Sequence, residues 1–251
     1  MNEYIRNLSR IEFVVTYSCT GKCRHCSQEG QPHPKGYVRP QTAAEVVRKT
    51  AEIFTINSVM TFGGEPLLFP GTVFAVHSAA AEMNIPRRSL ITNGFFSTDS
   101  AKIRETAQGL AQSGVNGVLV SVDAFHQETI PLEPVREFAH ALKSTGVDVR
   151  IHPAWVVGRN HDNPYNRRTE ELLSQLEKEG LARSEGNDIV PEGNALEYLG
   201  SYYDSGRKYI SPYAENPRDI HAISVEPDGK VLDGNVYETD ILNILENYRP
   251  L

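Results

Sequence analysis

The chain has 251 residues, with 25 basic and 32 acidic side chains and a formal net charge of −7. This acidic balance argues against a large nucleic-acid surface, which normally needs a basic face. No apolar run approaches the ~20 residues that cross a bilayer, and the first residues lack the apolar stretch of a signal peptide. We therefore expect neither a nucleic acid nor a membrane as a partner, and the length suits one large α/β domain.

Strand patterns and helix patterns alternate along the first three quarters of the chain. Short runs of β-branched and aromatic residues predict strands, and longer segments with apolar residues at helical spacing predict helices. The predicted strands are 11–16, 58–62, 89–92, 117–122, 147–155 and 188–190. The predicted helices are 42–54, 71–83, 100–113, 132–144 and 169–178. Thr42 and Glu45 have the spacing of a capping box at the start of the first helix.

Six strands in series with helices between them predict parallel strands joined by right-handed crossovers. The expected fold class is therefore α/β, with a partial (β/α)6 barrel of the TIM type over residues 1–195. The last part of the chain departs from this alternation. Residues 222–232 predict a β-hairpin that turns at Asp228-Gly229, and 239–248 predict a final helix. We expect residues 196–251 to form a C-terminal extension that packs on the barrel and closes its open edge.

The three cysteines of the chain, Cys19, Cys23 and Cys26, lie within eight positions directly after the first predicted strand. An odd number of cysteines at such close spacing argues against a disulfide framework. Three thiolates on one loop indicate a metal or cluster site, although four-thiolate ligation cannot be completed without a fourth cysteine. A [4Fe–4S] cluster on three cysteines leaves one iron open to a substrate or cofactor. The alternative is a structural zinc site with His25 or another histidine as the fourth ligand.

The C-x3-C-x2-C spacing on a loop after an apolar strand resembles the signature of the radical S-adenosylmethionine (radical SAM) enzymes. In that family the open iron binds the amino and carboxylate groups of SAM, and an electron from the cluster cleaves SAM to methionine and a 5′-deoxyadenosyl radical. The resemblance implies one [4Fe–4S] cluster on Cys19, Cys23 and Cys26, SAM as a cofactor, and an electron donor such as flavodoxin or ferredoxin. A cluster that is sensitive to oxygen predicts a reducing, cytoplasmic location.

Other motifs lie where predicted strands end, which is the catalytic rim of β/α barrels. Gly63-Gly64-Glu65 resembles the family's GGE motif, whose backbone or carboxylate receives the ammonium group of SAM. The two glycines allow the backbone to pass close to a ligand. The alternative interpretation is an ordinary turn between a strand and a helix.

Ser121 and Asp123 alternate at the end of the fourth predicted strand, which places both on one side, and they resemble the family's ribose-binding motif. An Asx turn at Asp123 is the alternative. Asn93, after the third strand, is either a SAM contact or part of an Asn-Gly turn. His25 precedes the third cysteine, where the family has an aromatic residue against adenine, and the alternative is a solvated loop histidine.

Once the three cysteines bind a cluster, no cysteine remains to donate a hydrogen atom or a proton to the substrate. The remaining candidates are His126, His152, His161, Tyr202 and Tyr203. We rank His126 first as the catalytic residue because it directly follows the end of the fourth strand.

The C-terminal segment 223–232, with 241–244 downstream, resembles the SPASM or twitch extensions of peptide-modifying radical SAM enzymes. Those extensions bind auxiliary clusters through cysteines, and this chain has none after Cys26. We predict a radical SAM enzyme that abstracts a hydrogen atom from a ribosomally made peptide. One alternative is a radical SAM enzyme acting on a nucleoside, sugar or amino acid. The alternative from another class is a zinc-stabilised binding protein without catalysis.

Overall fold

The computed structural model of the protein describes residues 2–28, 33–204, 206, 209, 211 and 214–250. The strands are β1 (Arg10–Val14), β2 (Ser58–Phe62), β3 (Arg87–Thr92), β4 (Gly117–Ser121), β5 (Asp148–His152), β6 (Ala154–Trp155), β7 (Ala182–Arg183), β8 (Asn187–Asp188), β9 (Ala222–Val225), β10 (Lys230–Val231) and β11 (Gly234–Asn235). The α-helices are α1 (Pro40–Ile53), α2 (Pro70–Glu82), α3 (Ser100–Gln112), α4 (Leu132–Ser144), α5 (Pro164–Lys178), α6 (Asn194–Leu199) and α7 (Ile241–Asn247).

Seven strands form one parallel sheet in the order β7-β5-β4-β3-β2-β1-β9. Helices α1 to α5 lie in the connections between successive strands from β1 to β7. The prediction of an α/β fold with a partial barrel is therefore confirmed. Strand β2 and helix α4 have the bounds that the apolar pattern predicted.

The two faces of the sheet differ in burial. On the face toward the helices, alternate residues such as Ile11, Phe13 and Val59 have no exposed surface and belong to the main core. On the opposite face, which is the inside of the partial barrel, Glu12 and Ser89 are half-buried. The core thus lies between sheet and helices, and the inner face stays accessible.

The sixth strand of the sheet differs from its predicted position. The sheet is continued by β7, and β8, which overlaps the predicted strand 188–190, pairs with β6 in a separate two-stranded sheet. Pro153 separates β5 from β6, because proline has no N–H to donate to a ladder.

The capping box predicted at Thr42 and Glu45 is wrong. Helix α1 begins at Pro40, and its N-cap is Arg39, which makes no side-chain capping hydrogen bond. Proline at the first helical position already has the φ angle of a helix and lacks an N–H that would need a partner, so it starts the helix before Thr42.

The segment predicted as a β-hairpin keeps its turn but pairs differently. Gly229 has a φ of +87°, and the N–H of Glu226 donates to the carbonyl of Lys230 at 2.9 Å. Strand β9, however, pairs in parallel with β1, and β10 pairs with β11. Without β9, the edge of β1 on the side away from β2 would have unpaired backbone groups, and pairing with β9 satisfies them. None of the helices in the described part of the chain is long and apolar enough to cross a membrane.

Candidate active site

A cleft of about 600 Å³ lies at the carboxyl ends of strands β1 to β4. The sequence-predicted residues that line it are Cys19, Cys23, Cys26, His25, Gly63, Gly64, Asn93, Ser121 and His126. Glu65 and Asp123 are not among the lining residues, since both are fully buried behind them. Parallel strands bring all their carboxyl ends to one edge, so residues far apart in sequence meet here.

The two glycines of the GGE motif allow the backbone that follows β2 to pack closely on residues 16–18, which lead into the cysteine loop. The N–H of Gly64 donates to the carbonyl of Thr16 at 2.7 Å, and that of Glu65 to the carbonyl of Ser18 at 2.8 Å. A Cβ on Gly64 would lie 2.3 Å from the Ser18 carbonyl oxygen. Gly63 has a φ of +141°, and its Cβ would lie 2.4 Å from the carbonyl oxygen of Thr16. Both positions therefore require glycine for packing alone.

A second contact holds the far end of the cysteine loop. The backbone N–H of Asn194 donates to the carbonyl of Cys26 at 3.0 Å, and its side-chain amide donates to the carbonyl of Cys23 at 3.3 Å. Gly193 has a φ of +54°, and a Cβ there would lie 2.6 Å from the carbonyl oxygen of Ser27. Neither Gly193 nor Asn194 could be predicted from the sequence, because nothing local links them to cysteines so far away in the chain.

The Glu65 carboxylate joins the ends of β2 and β3. It accepts hydrogen bonds from the Leu67 N–H at 2.9 Å, the Thr92 hydroxyl at 2.7 Å and the Asn93 N–H at 2.8 Å. Burial raises the pKa of Glu65 to about 7, although these hydrogen bonds act to lower it. The part of the GGE motif that faces the cleft is thus the Gly63-Gly64 backbone.

The end of β4 separates Ser121 from Asp123. Strand β4 ends at Ser121, so the alternation of a strand does not continue and only Ser121 lines the cleft. The Asp123 carboxylate accepts from the backbone N–H groups of Phe125 at 2.9 Å, His126 at 3.0 Å and Ala154 at 3.2 Å. The Asx turn, which was the alternative interpretation of Asp123, is therefore present.

Asp123 also fixes the ring of His126. Nδ1 of His126 lies 2.8 Å from the second carboxylate oxygen of Asp123, which orients Nε2 as the ring nitrogen left for other contacts. Burial lowers the pKa of His126, but the charge of Asp123 and this hydrogen bond outweigh burial and leave that pKa raised. An imidazole held by a carboxylate beside a cleft can give or take a proton there.

His25 lies in a layer of aromatic rings. Its ring centroid is 5.0 Å from that of Phe125 and 4.8 Å from that of His126. Burial lowers the pKa of His25 to about 4, so the ring is neutral near pH 7. Its Nδ1 is buried and has no hydrogen-bond partner among the described residues. His25 is therefore a half-buried residue at the wall of the cleft, packed against two other rings.

The other four candidate donors do not line this cleft in the described part of the chain. His152 bonds through Nδ1 to the Ser184 hydroxyl at 2.8 Å, and the Tyr203 hydroxyl donates to the carbonyl of Ile189 at 2.7 Å. Tyr202 and His161 pack edge to face at 6.4 Å.

The donor set of the cleft fits an iron–sulfur cluster on three thiolates. All three thiols face one cavity, and burial raises the pKa of Cys23, so a metal must displace the proton of this thiol. A second donor set is also present, because the ligand atoms of Cys23, His25 and His126 lie within 4.8 Å of one another.

A match to a known protein family favours a cluster over a metal ion on the second donor set. Residues 13–162 match the model of the Radical SAM superfamily. This segment is more than half of the chain, and the chain belongs to that superfamily. It is an enzyme of this class, whose cofactors are a [4Fe–4S] cluster and SAM.

Curated sequence relatives carry the name probable GTP 3′,8-cyclase. The protein from Saccharolobus islandicus is 28% identical over 183 residues, which are 70% of this chain and 54% of the relative. The one from Methanocaldococcus jannaschii is 28% identical over 51% of this chain and 40% of its own length. The chain thus spans about half the length of the curated relatives it matches.

Solved structures resemble nearly the whole chain. Streptococcus suis SuiB bound to SAM has a TM-score of 0.64 at 13% identity, covering 97% of this chain and 67% of that one. The enzyme anSMEcpe with bound SAM has a TM-score of 0.58 at 16% identity, and the match covers 95% of this chain and 80% of anSMEcpe. At such identities the likeness shows the fold.

We predict that Gly64→Ala prevents cluster assembly, because its Cβ would force the Ser18 backbone and the cysteine loop away. The expected result is an iron content per chain reduced severalfold after anaerobic reconstitution. The matched control is Gly71→Ala in α2, where a Cβ meets no atom within 4 Å. Equal iron content in the two variants would contradict this account of the GGE glycines.

The raised pKa of Glu65 predicts a pH-dependent stability. The folded state holds the proton of Glu65 more tightly than the unfolded chain, in which the pKa of this residue is near 4.5. The stabilisation from the bound proton is therefore complete below about pH 4.5 and is lost as the pH rises through about 7. We compare the unfolding free energy of the cluster-free wild type with that of the Glu65→Gln variant at each pH. The wild type should lose about 3 kcal/mol relative to the variant over that range. Urea unfolding at constant ionic strength measures it, and a difference independent of pH would refute the prediction.

Proposed function

We propose that this radical SAM enzyme reductively cleaves SAM at a single [4Fe–4S] cluster and abstracts a hydrogen atom from a ribosomally made peptide. The observation that carries the proposal is the meeting of three thiols with the Gly63-Gly64 backbone in one cleft at the barrel rim. When bound, the cluster and SAM supply the one-electron chemistry that an unactivated C–H bond requires.

We assign each residue of the cleft to a different part of these cofactors. In our proposal Cys19, Cys23 and Cys26 ligate the cluster, and the Gly63-Gly64 backbone accepts the ammonium group of SAM. Ser121 hydrogen-bonds the ribose, and the neutral ring of His25 stacks on the adenine. Glu65 and Asp123, which we predicted as direct contacts, act instead by holding the backbone that carries these residues, since their oxygens already accept hydrogen bonds from the chain.

His126 is our proposed catalytic residue. Its ring lines the cleft, and Asp123 holds Nδ1, which leaves Nε2 to give a proton to the substrate or take one from it. The half-buried inner face of the barrel adjoins the cleft, because Ile91 lines the cleft two residues along β3 from Ser89. Substrate held against this face is oriented toward the cluster and shielded from water.

The peptide substrate is supported by the breadth of the structural likeness. SuiB bound to its precursor peptide SuiA has a TM-score of 0.59, and the match covers 97% of this chain, including its C-terminal portion.

The division of the chain into a barrel over 1–195 and an extension over 196–251 stays a prediction. We also propose that an electron donor such as flavodoxin or ferredoxin reduces the cluster, and that the enzyme works in the cytoplasm, because a cluster sensitive to oxygen needs a reducing compartment.

A small-molecule substrate is the second candidate, and a separate observation favours it. The curated relatives are named for a reaction of GTP, and their similarity reaches 28% identity over 70% of this chain. A nucleotide is therefore the small molecule to test beside a peptide.

The first experiment is anaerobic reconstitution with iron and sulfide, reduction with dithionite in the presence of SAM, and detection of 5′-deoxyadenosine. We expect the wild type to form it, and a variant with alanine at Cys19, Cys23 and Cys26 to form none. Separate reactions contain GTP or the peptides encoded beside the gene, and the substrate is the one that increases 5′-deoxyadenosine and changes mass. A colourless protein with stoichiometric zinc and no SAM cleavage would overturn the proposal.

For His126 we predict that His126→Asn slows conversion of that substrate by about 10²-fold or more. SAM cleavage without substrate should keep its wild-type rate, because the variant leaves the cysteines and glycines in place. The control is His140→Asn on the partly exposed surface of α4. Equal losses of SAM cleavage and of conversion would instead assign His126 to cofactor binding.

A further inference from the structure

Asn93 lies directly against one of the cluster cysteines. Its side-chain nitrogen Nδ2 is 3.5 Å from the sulfur of Cys19 and 3.1 Å from the hydroxyl oxygen of Thr20. The residue is only 5% exposed, and its small exposed surface lies at the wall of the cleft. A SAM contact or an Asn-Gly turn was predicted at Asn93, and the turn is present, since Oδ1 accepts from the N–H two residues on and Gly94 has a φ of +72°. Neither of these roles concerns the cluster.

The orientation of the amide is determined by its surroundings. The oxygen Oδ1 accepts from the backbone N–H of Phe95 at 2.8 Å, which is a donor and must face an oxygen. The nitrogen Nδ2 therefore points toward Cys19 and Thr20. Flipping the amide would set a donor against the Phe95 N–H and leave the sulfur without this hydrogen bond.

The backbone of Asn93 is held as firmly as its side chain. Its N–H donates to the buried Glu65 carboxylate at 2.8 Å, and the neighbouring Thr92 hydroxyl donates to the same group at 2.7 Å. Glu65 in turn follows the two glycines that pack on the start of the cysteine loop. The GGE segment thus fixes both the sulfur and the amide that donates to it.

A hydrogen bond to a cysteine sulfur alters an iron–sulfur cluster in a known direction. Hydrogen bonds to the sulfurs are among the factors that set its reduction potential. An N–H donor withdraws negative charge from the thiolate, and the gain is larger for the reduced cluster, which carries one more negative charge. Donors to the sulfur therefore raise the potential, and Cys19 has a second one in the Gly21 N–H at 3.4 Å.

We propose that Asn93 is a positioning residue that raises the reduction potential of the cluster through its hydrogen bond to Cys19. This inference rests on the proposed function only in taking Cys19 as a cluster ligand. It gives the chain a means of adjusting how readily the cluster accepts the electron that SAM cleavage requires.

The test is an anaerobic redox titration of the reconstituted cluster without SAM, followed by electron paramagnetic resonance and paired with an iron assay. Asn93→Ala removes the donor. Asn93→Asp keeps an oxygen for the Phe95 N–H but places a carboxylate against the sulfur. We expect a more negative midpoint potential in both, with the larger shift in Asn93→Asp, and unchanged iron content. Thr20→Val, which removes only the other partner of the amide, should keep the wild-type potential.

Each other outcome decides against the proposal. A wild-type potential in Asn93→Asp with a full cluster would show that the amide does not act on the cluster. If neither Asn93 variant retains iron, Asn93 is needed for assembly and not for adjusting the potential. A wild type that forms no cluster overturns the proposed function itself, so the two failures are distinguishable.

Discussion

The close packing of the Gly63-Gly64 backbone on residues 16–18 is the constraint on which the site depends. One hydrogen bond from Gly64 and one from the following Glu65 join the GGE segment to residues 16–18, and the distances leave no room for a Cβ on either glycine. Because β1 and β2 are adjacent parallel strands, this contact continues their pairing beyond the end of the sheet. The cysteine loop therefore leaves the sheet in a direction set by backbone contacts, and Asn194 holds its other end.

Two buried acids organise the rest of the rim, and neither faces the cleft. Glu65 joins β2 to β3, and Asp123 joins the turn after β4 to β6. A buried carboxylate is costly unless donors surround it, and each of these accepts several hydrogen bonds from the chain. In satisfying these acids the chain fixes the two residues that do line the cleft beside them, Asn93 and His126.

Sequence alone predicted much of this fold. Apolar periodicity located the parallel strands up to β5 and the helices from α1 to α5, because burial against one face repeats at short, regular intervals. It misplaced the sixth strand, since Pro153 interrupts the ladder, and it missed that β9 pairs with β1. Pairing between strands some 200 residues apart leaves no local pattern, and the turn at Asp228-Gly229 looks the same in a hairpin.

The candidate site divides in the same way. The three cysteines, the GGE glycines and their place at strand ends could be predicted from residue types and spacing, because we expect cluster ligation to need closely spaced thiols and close backbone approach needs glycine. The contacts of the polar side chains could not be predicted in this way and are seen in the folded chain alone. Strand β4 ends at Ser121, so Asp123 turns away from the cleft and orients His126, and Glu65 is enclosed while Asn93 meets Cys19. Hydrogen bonds between the ends of neighbouring strands fix the orientation of these side chains. Such contacts depend on the residue at which each strand ends and on which strands are neighbours in the sheet.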